Sequence, residues 1–208
     1  MFNLRHQNDT TMLIGRKEEL RELNDAFKSE YSEFVAVYGR RRVGKTFLVR
    51  EAFNYEFTFQ HTGVAKEKIA GQLAAFRTSL IDYGYKDCPE LASWPDAFNS
   101  LKVGIKSSRK KKKVIFIDEI SWMDTPKSNF VSALEHFWNS WCSARKDVLL
   151  IICASATSWI INKVIKDRGG LHNRVNTQIY LMPFTLKECE EYLQSRNIRI
   201  NRYQILTL

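Results

Sequence analysis

Gly39-Arg-Arg-Arg-Val-Gly44-Lys45-Thr46 sets two glycines, a lysine and a hydroxyl at the spacing G-x-x-x-x-G-K-[ST], between an apolar run and a helical pattern. Glycines at those positions let a loop curl until its backbone N–H groups converge, and the helix that follows adds a partial positive charge. A phosphate fits such a cradle. Lys45 would bridge β- and γ-phosphate oxygens, and the Thr46 hydroxyl would ligate Mg²⁺. The candidate contact set is Gly39, Arg40, Arg41, Arg42, Val43, Gly44, Lys45, Thr46 and Phe47. Arg40, Arg41 and Arg42 hold the variable positions, where they add anion attraction or simply project into water.

About seventy residues on, Lys113-Val-Ile-Phe-Ile-Asp118-Glu119 is an apolar run ending in adjacent carboxylates. Carboxylates at a strand end are also ordinary helix-entry chemistry. Paired with the phosphate loop they divide the work, Asp118 holding Mg²⁺ and Glu119 orienting and deprotonating a water. A third apolar run, Val148 to Cys153, leads into Ala154-Ser155-Ala156-Thr157-Ser158-Trp159. Ser155 is the candidate γ-phosphate sensor there and Thr157 the second. The alternative for Ser155 and Ser158 is a helix N-cap.

These groups must be carried by elements that converge. Phe34-Val-Ala-Val-Tyr38, 114–117 and 148–153 are continuous apolar runs rather than alternating ones, as in strands buried on both faces. Between them lie amphipathic stretches of helical length at 16–28, 66–83 and 130–145. That alternation predicts an α/β fold with a parallel sheet, ligands sitting beyond the carboxyl ends of the strands. Helix starts are expected at Thr125-Pro126, at Thr185 with Glu188 as a capping box, and at Asn201.

With 208 residues, 44% of them apolar, the chain supports one domain with a substantial core, which argues against disorder and against a disulfide-stapled miniature. The net charge is +9, but five positive charges sit in the single run RKKKK at 109–113. That run reads as a solvated turn, with contact to nucleic acid or an acidic partner as the alternative. Cys88, Cys142, Cys153 and Cys189 form no C-x-x-C pair, and the first ten residues are polar. A soluble protein of a reducing cytoplasm is expected, without a membrane span. His61, His136 and His172 lack ligand spacing, and Trp122 and Trp159 read as core residues before crevice walls.

Taken together, GRRRVGKT, VIFIDEISWM, SATSWI, the opening Ile14-Gly15-Arg16-Lys-Glu-Glu-Leu20, Gly170-Leu-His-Asn-Arg174 and Pro183-Phe-Thr-Leu-Lys-Glu188 resemble the P-loop ATPases of the AAA+ and STAND type. More closely, they resemble the archaeal ATPase family, which also occurs widely in bacteria. The resemblance spans Ile14 to about Leu193. It implies a three-layer P-loop NTPase fold with a five-stranded parallel sheet ordered 5-1-4-3-2, binding Mg-ATP and hydrolysing it slowly as a nucleotide-driven switch. It also implies that Ile14, Gly15 and Arg16 lie against the adenine, and that Arg174 reaches a γ-phosphate in its own subunit or a neighbour's. The plainer readings are a helix-entry turn and a surface ion pair. Ala154 stands where relatives often carry glycine.

Relatives continue into a helical lid and further domains. The expected division is therefore a core over 1–200 and the first part of a truncated lid over 201–208, the chain being a fragment or a truncated frame. A nucleotide-dependent binding module without turnover, or a nucleic-acid-associated ATPase, are the competing readings, and self-association or a partner domain would be the output.

Overall fold

The computed structural model describes residues 13–166, 170–171, 173–198 and 202–206, so His172 and the expected cap Asn201 lie outside the described residues. Five strands form one parallel sheet: β1 (Glu33–Tyr38), β2 (Phe59–Thr62), β3 (Lys113–Asp118), β4 (Val148–Ala154) and β5 (Thr177–Tyr180). Their spatial order is β2-β3-β4-β1-β5, which is the expected 5-1-4-3-2 read from the other edge. Every residue of β4 is buried, as a strand covered on both faces requires.

The pleat sends alternate residues of each strand into two separate cores. Phe34, Ala36, Ile115, Ile117, Leu150 and Ile152 face α3 (Ile69–Asp82), α4 (Trp94–Ser107) and α5 (Phe130–Phe137). Val35, Val37, Val114, Phe116, Leu149 and Ile151 face α1 (Lys17–Lys28) and α2 (Lys45–Ala52). The result is three layers. The thicker one is unusually aromatic, with Trp94 wedged edge-on against Phe76 and Phe130 at centroid separations of 5.7 and 4.8 Å.

Several boundaries differ from the sequence expectation. No helix begins at Thr125-Pro126: the segment is a turn closed by Ser128 N–H on the Thr125 carbonyl at 3.0 Å, and α5 begins at Phe130 after Asn129 in the left-handed conformation. The helix expected from 66 begins at Ile69, because Lys66 is held at a φ of 60°. Helix α5 stops at Phe137 and runs on as a π turn to Cys142. After β4 come α6 (Thr157–Ile160) and a second π turn over Ile161–Ile165. The Thr185–Glu188 capping box is present at the start of α7 (Leu186–Ser195), against which α8 (Arg202–Leu206) packs.

Candidate active site

The loop after β1 turns at 41–42 and enters α2 at Gly44, which takes a φ of 92° and whose carbonyl already accepts from Leu48 N–H at 2.8 Å. The first N–H groups of α2 therefore have no intrahelical acceptor. Gly39 serves a different constraint. At a φ of 147°, a Cβ there would stand 2.3 Å from the Leu181 carbonyl oxygen, so only glycine lets the loop leave the sheet beside β5.

Buried Lys45 sends its ammonium to three acceptors: the carbonyls of Gly39 and Arg40 at 3.1 and 2.8 Å, and Ser155 Oγ at 3.1 Å. Ser155 Oγ in turn donates a hydrogen bond to Glu119 Oε1 at 2.6 Å. Thr46 Oγ1 donates to Asp118 Oδ2 at 2.7 Å. The ends of β1, β3 and β4 are thus joined through side chains at one point of the sheet's carboxyl edge. Ser155 is not an N-cap, nor is Ser158: Ala156 occupies that position and Ser158 lies inside α6.

Asp118 is 3% exposed, and burial pushes its carboxyl above the ordinary range while the Thr46 hydroxyl and the Glu119 N–H pull the other way. Thr46 and Asp118 present oxygen ligands side by side, the donor set that suits Mg²⁺. Because Thr46 spends its proton on Asp118, a hydroxyl lone pair is left for a cation. Glu119 sits at a φ of 44°, uncommon for a residue with a Cβ and a local strain of about 1–3 kcal/mol. The turn there is packed against Gly63, where a Cβ would meet the Glu119 carbonyl oxygen at 2.6 Å. Sequence reading missed Gly63, since a glycine after a four-residue strand carries no signal of what lies across from it.

Arg16, only 6% exposed, opens α1 in the left-handed conformation. Its guanidinium donates to the Met182 carbonyl at 2.7 Å and the Val43 carbonyl at 3.4 Å, and lies 4.6 Å over the Phe184 ring. Gly15, at a φ of 69°, abuts the Glu188 carboxylate, and Ile14 is half-buried beside it. The opening turn is therefore pinned to the phosphate loop and to the segment leading into α7.

Arg40, Arg41 and Arg42 are exposed, with Arg41 placed 6.0 Å over the Trp122 ring, and Phe47 is about half exposed on the first turn of α2. Trp159, partly buried, donates its indole N–H to Asp124 at 2.8 Å. Arg174 is not brought to this cluster. It precedes Asn176, which pairs with Phe34 at the opposite end of the sheet, five strand residues or about 16 Å from Gly39. It is exposed and makes no ion pair among the described residues.

The sequence pattern of an ATPase domain found predominantly in archaea matches residues 13–198. The chain belongs to that family. An uncharacterized protein of Methanocaldococcus jannaschii is 26% identical to this ATPase domain over 183 residues, covering 87% of the chain and 38% of the relative. An uncharacterized ATP-binding protein of the same organism is 42% identical over 40 residues, 19% of the chain and 68% of that protein.

Among solved structures, the Walker-type ATPase of Pyrococcus abyssi superposes with a TM-score of 0.63 at 16% identity, covering 98% of this domain and 64% of that chain. The Aeropyrum pernix ORC2 protein, in ADPNP-ADP complexes, gives 0.65 at 15% identity over 93% of this domain and 55% of its own chain. Cdc6p of Pyrobaculum aerophilum gives 0.62 at 15% over 92% and 52%. The ATPase domain thus spans 38% of the first relative's length and at most 64% of these structural neighbours. Among its described residues no helix is long and apolar enough to cross a membrane.

Proposed function

We propose that this ATPase domain binds Mg-ATP through the loop 39–47, hydrolyses it slowly, and works as a nucleotide-driven switch. The observation that carries the reading is the side-chain chain Lys45–Ser155–Glu119 lying beside the Thr46–Asp118 pair. In this reading the loop N–H groups and Lys45 bind the β- and γ-phosphates, while Ile14, Gly15 and Arg16 lie along the base. Thr46 and Asp118 would hold Mg²⁺, whose charge would offset that of the phosphate oxygens. Glu119 takes the proton of the attacking water at a carboxylate oxygen, and Ser155 fixes where that carboxylate points.

Switching is supported by Arg16, whose bonds join the phosphate loop to the segment before α7, so a shift at Val43 is felt at Met182. The segment 201–208 then opens a helical lid. Arg174, at the opposite sheet edge, serves a neighbouring copy or a partner rather than its own nucleotide.

The 2.6 Å contact between Ser155 and Glu119 favours a second reading, a module that binds ATP or ADP and does not turn it over, because the base is already engaged. Mg-ATP binding and single-turnover hydrolysis, with Lys45→Ala and Glu119→Gln alongside, separate the two. Hydrolysis by the native chain, with binding but no hydrolysis by Glu119→Gln, supports the enzyme; binding without hydrolysis in the native chain supports the module. If the native chain binds no nucleotide, both readings fail.

A further inference from the structure

At the sheet edge opposite the phosphate loop, the segments that lead into β1, β3, β4 and β5 lie side by side. The segments 28–33, 106–113, 143–148 and 173–176 together hold ten Lys or Arg against three Asp or Glu, so most of the chain's net charge of +9 is gathered there.

Bonds among the first three segments, and from one of them to the turn before β2, hold them as one surface. Lys112 Nζ donates to the Ser29 carbonyl at 2.9 Å and also to that of Tyr31, and Lys110 Nζ donates to the Phe57 carbonyl at 3.1 Å. Lys113 pairs with Asp147 at 2.8 Å, and Ser32 Oγ donates to the Arg145 carbonyl at 2.9 Å. These anchors use up the inward half of the RKKKK run. Lys110, Lys112 and Lys113 are partly buried, while Arg109 and Lys111, alternating with them, stand exposed.

The acids do not neutralise what is left. Asp147 is shared by Lys113 and Arg145, Glu33 accepts from Ser29 Oγ at 2.7 Å, and Glu30 is a single exposed carboxylate against six exposed cations. Arg109, Lys111, Lys146, Lys28, Lys106 and Arg174 remain exposed and without an ion pair among the described residues.

We infer that this edge is a docking surface for the phosphate backbone of a nucleic acid, separate from the nucleotide site. Four neighbouring strands at about 4.8 Å spacing spread the cations over about 14 Å, the axial rise of roughly four nucleotides of one strand. The composition selects against other partners. A protein interface needs a buried apolar anchor, and a membrane surface needs apolar side chains to insert. In these four segments the one large exposed hydrophobic is Tyr31, 66% exposed, with Lys146 Nζ 5.8 Å over its ring.

The test is fluorescence anisotropy with a mixed-sequence duplex of about 20 base pairs, titrated at salt from about 50 to 200 mM. The variant Arg109→Glu/Lys111→Glu/Lys146→Glu spares every lysine that anchors a carbonyl, and Arg109→Gln/Lys111→Gln/Lys146→Gln removes the charges without adding any. The expected result is a loss of affinity of at least about tenfold, with the slope of log K against log salt shallower by about 2–3 in the Gln variant. Arg109→Lys/Lys146→Arg should retain binding. Unchanged affinity in both triple variants would overturn the proposal. So would loss of binding in Arg40→Ala/Arg41→Ala/Arg42→Ala alone, or tighter capture of polyglutamate or phosphatidylserine vesicles than of the duplex.

Discussion

Ser155 Oγ donates to Glu119 Oε1 at 2.6 Å while accepting from Lys45 Nζ at 3.1 Å, so one hydroxyl stands between the candidate base and the loop cation. Removing it leaves the carboxylate with the longer 3.4 Å bond from the Ser155 backbone N–H and deprives Lys45 of one of three acceptors. Ser155→Ala should lower the single-turnover rate by about ten- to a hundredfold with Mg-ATP affinity changed by less than about threefold. An affinity loss as large as the rate loss would place Ser155 in binding instead of positioning.

Arg16 joins the opening turn to Val43 and Met182 from a site that is 94% buried. Truncation leaves two carbonyls without their donor and removes the guanidinium from the Phe184 face. Arg16→Ala should cost about 2–4 kcal/mol in urea unfolding. Arg16→Lys should recover less than half of that, because a single ammonium replaces two guanidinium nitrogens, Nη2 that donates to both carbonyls and Nη1 that faces Glu19 at 3.4 Å, and loses the flat face over Phe184.

The two loop glycines separate steric from conformational cost. At Gly39 a Cβ meets backbone at 2.3 Å, whereas at Gly44 nothing lies within 4 Å and only the φ of 92° opposes a side chain. Gly44→Ala should therefore cost about 1 kcal/mol of stability. Gly39→Ala should displace the loop from Leu181 and weaken Mg-ATP binding by more than tenfold, as isothermal titration would show.

His61 sits in β2 with 3% exposure, sharing a bond with Ser79 Oγ through Nδ1 while Nε2 has no hydrogen-bond partner among the described residues. Burial pulls its pKa down to about 4. The folded state therefore holds the neutral ring, and the stability this gives is full above an unfolded pKa of about 6.5 and drains as pH falls toward 4. Unfolding free energy should drop by up to about 3 kcal/mol across that window, and His61→Phe should flatten this part of the pH profile.

The phosphate loop, the Asp118–Glu119 pair and the three central strands were legible because each is a local pattern: a fixed spacing, or an apolar run covered on both faces. Even the strand order could be anticipated through family resemblance. The edge strands β2 and β5 were not, since FQHT and TQIY have four residues each and alternate weakly. Helix α4 lies outside the sequence expectation, although Ser93 caps it and Pro95 lies in its first turn. What sequence could not give were the long-range relations: Gly63 pressed against Glu119, Arg16 reaching Met182, and the RKKKK run split into inward anchors and outward charges. Thr125-Pro126 misled because a hydroxyl before proline suits a tight turn as well as a helix start.

Strand β1, which carries the phosphate loop, has no sheet neighbour close to it in sequence: it pairs with β4 on one side and β5 on the other, both more than a hundred residues later. On a growing chain it must wait unpaired while β2, β3 and their helices emerge. Its insertion between β4 and β5 is a late, long-loop closure. The glycine turn at its end, resting on Leu181, takes its final shape only when nearly all of the domain has left the ribosome. A nascent chain that stalls before β5 would expose the apolar Phe34–Val37 segment and hold the glycine turn without its rest on Leu181, so the loop's final shape reports that the sheet has closed.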